Sequence, residues 1–551
     1  MKKHVQNILI LSLFSFGIFS CDEGFRNSEE ADEAPVESVE NISEISSEAE
    51  LDYETDPQII ESQLQEISPD LSAETETFYK NRDFKTAWQK EGNRKTFLEL
   101  LEKVEEEGLT PGDYQEDKLL EILSSTEAAS EKIAQMDIYL TDAFFKYAHD
   151  LYFGKLEPRE LYKNWGVSRK PIDLPGLLEK GLGNNDISAT FNQLRPSHPI
   201  YSQLKSALEE YKLLKEKEQA FQKVEKGGFI KPGEKDSRVR SISKRLQELQ
   251  LLPDSINVSD SIYSEALQES IKKFQKNKGL QVDGIIGNST IAELNMTPTE
   301  RYNQILANLE RWRWYPRDLG EHYILINIPD FRLAVVKDGD TVRTHNVIAG
   351  SRARQTPVFT DTLEYIVINP QWNIPPTIKK EDVIPRAAKD PSYISSHNMK
   401  VIGRDGKTLD PATIDWSSSQ VYSYNYVQRA GPSNPLGQVK IIYPNKYLIY
   451  LHDTPAQNLF SQNQRAESSG CVRVENAVDL SGYILNDQPD WQEEKIREAI
   501  ASGVTKQVKI NRPIQVHHFY WTAWRAGNKT VFTEDVYNLD KEIYSRLLQV
   551  N

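Results

Sequence analysis

The chain has 551 residues, enough for three or four domains, and its 27% charged and 38% hydrophobic content can build cores. Its formal charge of −16 is uneven: residues 22–55 hold 13 Asp/Glu against one Arg, the first 21 residues carry +2, and everything from 56 onward nets about −6. The remainder is therefore near balance and has no dense Lys/Arg tract to neutralise phosphates, so no nucleic-acid partner is expected.

The chain starts with Lys2 and Lys3 followed by an apolar run, Ile8–Phe19, which is too short for a spanning helix. That is the form of a secretory signal over 1–20. Ile18-Phe19-Ser20-Cys21 resembles a bacterial lipoprotein box, although Phe19 is bulkier than that position usually holds. The resemblance implies export, lipidation of Cys21 and a tether to a membrane. Residues 21–75 are rich in Glu, Ser and Ala, with little apolar surface to offset ordering entropy, and are expected to form a disordered stalk.

A helical domain is expected over 76–230. Lys95–Glu107 sets Phe97, Leu98, Leu101 and Val104 on one face before Gly108, and Gln135–Leu151 repeats the amphipathic spacing with many aromatics. Over 236–296 the pattern is helix, loop, helix, a glycine-rich turn and a short helix. Ala266, Phe274, Gln275, Gly279, Leu280, Asp283, Gly284 and Gly287 stand where the small three-helix peptidoglycan-binding domain carries its hallmark residues, and this stretch resembles that domain. Its glycines and apolar residues name a fold better than a contact.

A linking helix, Glu300–Trp314, offers Trp312 and Trp314 for packing. Strands are expected at Tyr323–Ile328, Arg332–Lys337, Thr341–Ala349, Glu364–Asn369, Val439–Tyr443, Tyr447–Leu451, Pro513–Thr522 and Thr530–Phe532. The fold class is thus multidomain α+β, ending in a mostly-β domain over 320–551. Residues 376–436 show little strand pattern, and an insertion of that size inside a β domain is expected to be a lid or binding subdomain.

One cysteine remains in the folded region, within Ser468-Ser469-Gly470-Cys471-Val472-Arg473. A free cysteine is ordinarily inert filling. Three neighbours argue otherwise here. Gly470 allows close backbone approach, so N–H groups at Gly470 and Cys471 could face an oxyanion. Arg473 could lower the thiol pKa from about 8.5 or hold a carboxylate. His452, at a strand end in Tyr450-Leu451-His452-Asp453-Thr454, could be the base that a nucleophilic thiol needs. His517 and His518 are adjacent on a strand and point to opposite faces. No metal-ligand spacing is present, and neither metal nor other cofactor is expected.

His452, the 19-residue step to Cys471, and Ser-Ser-Gly-Cys-Val-Arg resemble the active-site motif of the L,D-transpeptidases, in particular the large periplasmic members that carry a scaffold domain. Gly108-Leu109-Thr110-Pro111, Leu140–Phe144, Asn369–Pro375 and Gly431–Gly437 extend the likeness. Most members have His where Ser469 stands. The resemblance implies that Cys471 is the nucleophile, His452 the base and then acid, and Gly470 and Cys471 the oxyanion donors. It implies that Arg473, Tyr450, Trp372 and Ser469 line the pocket, and that peptidoglycan stem peptides are the partners. The implied reaction releases D-Ala from a tetrapeptide stem through a Cys471 thioester and forms a 3→3 crosslink. Two alternatives stand beside it: hydrolysis of the same thioester by an L,D-carboxypeptidase, and a non-catalytic cell-wall-binding protein. Whether Asp453 or a backbone carbonyl orients His452 is left open by the sequence.

Overall fold

The computed structural model describes residues 53–549, apart from 68, 70, 125–128 and 258–260. The expected signal, Cys21 and most of the expected stalk lie outside the described residues. The end of that stalk does not stay a stalk. Pro57–Ile67 is helical and buries Ile60 and Leu64 in the core of the helical domain. The four-residue spacing of these two side chains supplies an apolar stripe that the acidic composition around it concealed.

The helical domain packs around the 25-residue helix Ala129–Phe153, with Phe97, Phe144, Tyr147 and Phe191 in ring contact. Its core closes at Leu194. The next helix, Pro199–Glu216, was expected to belong to it but buries Tyr201, Leu204 and Leu208 in the core of the C-terminal domain. Val224 already belongs to the following three-helix unit. The helical domain is therefore shorter at its C-terminal end than the 76–230 expected.

In the three-helix unit (Arg238–Glu248, Glu265–Asn277, Asn288–Leu294), Gln275 closes the glycine-rich turn. Its Nε2 donates to Asp283 Oδ1 and to the Ile285 carbonyl, both at 3.0 Å, and its Oε1 accepts from Gly284 N at 2.9 Å. Gly284 has φ +68°, a conformation that favours glycine. These hallmark residues hold their own fold together.

The helix Pro298–Trp314 starts at a Thr297/Glu300 capping box and runs through the interior. Arg311 pairs with Asp540 at 2.6 Å and Arg313 with Glu310 at 2.7 Å, all deeply buried. The Arg313 guanidinium also donates to the Glu107 carbonyl, joining the helical domain to the C-terminal one. Trp312 and Trp314 are both buried, as the sequence suggests.

The strands, in chain order, are β1 Trp165–Gly166, β2 His322–Asn327, β3 Arg332–Lys337, β4 Asp340–Gly350, β5 Val358–Thr362, β6 Tyr365–Ile368, β7 Trp372–Asn373, β8 Met399–Ile402, β9 Thr408–Leu409, β10 Asn425–Gln428, β11 Val439–Ile442, β12 Leu451–His452, β13 Ala466–Ser468, β14 Val472–Val474, β15 Lys506–Lys509, β16 Gln515–Phe519, β17 Ala523–Ala526 and β18 Lys529–Phe532. The main sheet runs β1-β5-β16-β2-β3-β4-β14-β12-β11-β6-β15, with β13 on β4. Tyr447–Tyr450, expected as strand, is a turn instead, with Leu448 at φ +59°. Asn445 holds that turn by accepting from the Tyr447 and Ile449 N–H groups.

The insertion is a folded subdomain, not a bare loop. Its sheet, β7-β10-β8-β9, covers a separate core that includes Val383, Ile394, Val401 and Tyr426. Strands of two to four residues are too short to show alternation in sequence. Asn434 ties the base shut: its Nδ2 donates to the carbonyls of Pro370 and Arg429, each at 3.0 Å.

Candidate active site

Three adjacent strands assemble the site. β11 lies antiparallel to β12 with Lys440 opposite His452, and β12 lies parallel to β14 with His452 opposite Arg473. Val439, Ile441, Leu451, Val472 and Val474 fill the core. Alternation therefore brings Lys440, His452 and Arg473 out together on the other face, and Tyr450 and Cys471 continue that face one step back.

Tyr450 is the hub. Its hydroxyl lies beside both the Cys471 thiol and the Trp372 indole. The Lys440 ammonium sits 3.7 Å from its ring centroid and the His452 ring 5.7 Å away. The expected pocket residues Tyr450 and Trp372 are thus joined to the thiol in one chain of contacts. Trp372 is also the first residue of the subdomain's sheet, so the inserted subdomain reaches Tyr450 through it.

Cys471 is a free, half-buried thiol, with Sγ 3.7 Å from the Leu448 carbonyl. Burial pushes its pKa up, and the backbone and hydroxyl of Tyr450, then Lys440, then Arg473, pull it down without cancelling that rise. The sequence reading assigned the cationic influence to Arg473 and missed Lys440. Period-two alternation puts Lys440 on the face away from the core, where a lysine ordinarily meets water, and only the register reveals what it meets instead.

His452 is buried, and its Nδ1 lies 2.5 Å from the Asp453 carbonyl. A carbonyl only accepts, so Nδ1 carries the proton and Nε2 is left as the basic nitrogen. This settles the orienting group as a backbone carbonyl. The Asp453 carboxylate faces elsewhere, accepting from Gln438 N at 2.8 Å and Gln457 Nε2 at 3.2 Å. It packs under Gly437, where a Cβ would come within 2.3 Å of Asp453 Oδ2. Burial, reinforced by the Arg473 and Lys440 cations, brings the His452 pKa down to about 3, so the ring is neutral at pH 7.

The turn that carries Cys471 is braced from within. Ser468 Oγ donates to the Cys471 carbonyl at 2.5 Å and accepts from Gly470 N at 3.1 Å. Thr356 Oγ1 donates to the Gly470 carbonyl at 2.8 Å. The Gly470 N–H, expected as an oxyanion donor, is therefore already engaged. What the turn requires of Gly470 is its φ of +110°. Among the described residues, the Cys471 N–H has no hydrogen-bond partner. Ser469 faces outward and accepts from Arg354 Nη1 at 2.9 Å, while Arg354 pairs with Glu381 at 2.5 Å and Asp382 at 3.0 Å on the lid subdomain. Neither Ser468 nor Arg354 carries a sequence signal for these roles.

The remaining histidines have other partners. His345 bonds the Glu475 carbonyl at 2.9 Å, and His397 the Tyr393 carbonyl at 2.9 Å. His517 meets Thr360 and Leu319, and His518 meets Tyr443, on opposite faces of β16 as expected.

Sequence comparison bears on the domains that hold this site. Residues 321–508 match the model of the L,D-transpeptidase catalytic domain. The chain carries an L,D-transpeptidase catalytic domain. Residues 73–208 match the scaffold domain and 235–294 the "Putative peptidoglycan binding domain". A Haemophilus influenzae protein named "Putative L,D-transpeptidase" is 38% identical over 268 residues, covering 48% of this chain and 54% of that protein. The chain thus spans about half the length of this curated relative. Among solved structures, the L,D-transpeptidase of Xylanimonas cellulosilytica aligns over 54% of this chain and 99% of that one, at 16% identity and TM-score 0.17. That of Mycobacterium smegmatis aligns over 36% and 58%, at 16% identity and TM-score 0.18. The peptidoglycan-binding match and the catalytic-domain match flank the helix Pro298–Trp314.

Proposed function

We propose that the protein is a cell-envelope L,D-transpeptidase that forms 3→3 crosslinks through a thioester on Cys471. The observation that carries this reading is the register placing Cys471, His452 and Tyr450 on one polar face of an otherwise buried sheet. The Cys471 sulfur attacks the carbonyl carbon joining the third stem residue to the terminal D-Ala, and its proton passes to His452 Nε2. The oxyanion that forms is met by the Cys471 N–H. His452 then gives the proton to the departing D-Ala nitrogen, the C–N bond breaks, and a thioester remains. An amine from a second stem attacks that thioester, His452 takes the amine proton and returns it to sulfur, and the C–S bond breaks. A histidine with so low a pKa holds the proton only in transit, as a shuttle should.

An acceptor amine competes with water, so the site needs cover. The subdomain over 372–428, reaching the thiol through Trp372 and the nucleophile turn through Arg354, is placed to provide it. The three-helix unit would hold the enzyme against its polymer. Tethering through a lipid on Cys21 completes the reading, and Cys21→Ser should release the protein from membranes without loss of catalysis in vitro. The main test is product analysis with purified tetrapeptide muropeptides. Dimers that have lost one D-Ala are expected. Tripeptide monomers alone would replace this reading with hydrolysis, and absence of both would remove catalysis.

A further inference from the structure

Burial raises the Cys471 thiol, and the only histidine on its face is a weak base, so a neutral thiol–imidazole pair is poorly poised to make a thiolate. The charges around the sulfur decide how that is offset. Facing it from the elements packed on it are the phenols of Tyr450 and Tyr443, the His452 imidazole, and the cations of Lys440 and Arg473. None of these is an anion, and the acidic neighbour on this face, Glu467, acts on Arg473. Lys440 is half-buried and held 3.7 Å over the Tyr450 ring, whose hydroxyl lies beside the sulfur. It also stands directly across the ladder from His452. A desolvated ammonium without a carboxylate partner is costly unless an anion forms beside it.

We propose that the Lys440 ammonium is the counter-ion of the Cys471 thiolate, held in place by the face of Tyr450. It is a positioning residue for the nucleophile: it stabilises charge on sulfur and, through the ring below it, strengthens the phenol O–H beside that sulfur. Arg473 is the second, weaker cation. Both disfavour a standing imidazolium at His452, which keeps that ring free to accept the proton only as the reaction proceeds. The inference rests on Cys471 being the nucleophile, but its test reads the thiolate and not turnover.

The experiment is the pH profile of Cys471 alkylation by iodoacetamide in the full chain, read on the Cys471 peptide by mass spectrometry. Wild type, Lys440→Met, Lys440→Gln and Lys440→Arg are compared, with thermal melts to confirm folding. Removing the charge should move the midpoint up by about one pH unit, the low end for a nearby opposite charge. Alkylation at pH 7 should slow about tenfold. Arg, which keeps the charge, should hold the wild-type midpoint even if Met fails to fold. A profile for Met or Gln that overlays wild type overturns the proposal, as does an Arg variant shifted as far as Gln. Unchanged profiles alongside normal crosslinking would remove Lys440 alone, whereas crosslinking by Cys471→Ala would remove the nucleophile.

Discussion

The three-helix unit and the turn that carries Cys471 both carry dense sequence motifs, yet the structure uses the motifs in opposite ways. In the former, Gln275, Asp283 and Gly284 bond to one another and close a turn. In the latter, Ser468 and Gly470 do the same internal work, and the Cys471 side chain stays on the face of Tyr450 and His452. A motif residue whose hydrogen bonds all point inward explains a fold. One whose groups are kept available by its neighbours explains a chemistry.

Breaking the contrast from the catalytic side should give the largest effect. His452→Ala should slow β-lactam acylation of Cys471 by roughly 10²–10⁴-fold near neutral pH, with partial recovery as pH rises and the thiolate forms unaided. Intact mass against pH reads this, and superimposed profiles would make His452 a packing residue. From the structural side, Gln275→Ala leaves the buried Gly284 N–H unpaired and removes two further bonds. It should destabilise the three-helix unit by roughly 2–4 kcal/mol without altering acylation. Thermal melts and acylation rates on the same sample check both halves.

The buried histidines sharpen the comparison further. His452 and His518 are held near pKa 3 and His517 near 4, all by burial. Each is depressed below its unfolded value of about 6.5, so the unfolded chain binds more protons as pH falls. Stability should therefore be full above about pH 7 and decline below 6.5, by about 2 kcal/mol per histidine at pH 5. Melting temperatures between pH 7.5 and 5 test this, and His518→Phe should flatten the slope. A slope that steepens in that variant would contradict the account. The smallest effect belongs to Arg354→Ala. Its ion pairs are partly exposed, worth about 1 kcal/mol together, and acylation should slow less than tenfold. A complete loss would mean that Arg354 touches substrate.

Much of this was legible before any coordinates. Long amphipathic runs and strands of alternating apolar residues announce themselves, so Arg332–Lys337 falls where alternation puts it and Trp312 and Trp314 are buried. Ile60 and Leu64 were masked by the acidic residues around them, and the lid strands are too short to alternate. In the site, Cys471, His452 and Tyr450 were legible because the motif places them near one another in sequence. Lys440 and Arg354 were not, since they meet the Tyr450 ring and Ser469 only through strand register and a loop from β4. Gly470 was misread because its role is set by φ and by Ser468, neither of which composition reveals.

The most direct test of the central claim is whether the donor stem becomes attached to Cys471. Wild type and Cys471→Ala, each confirmed folded, are mixed briefly with a purified tetrapeptide muropeptide, quenched in acid and weighed intact. Wild type should gain the mass of the donor less D-Ala, mapped to the Cys471 peptide and released by mild thiolysis, and Cys471→Ala should gain nothing. An adduct on another residue, or crosslinking by Cys471→Ala, would contradict it.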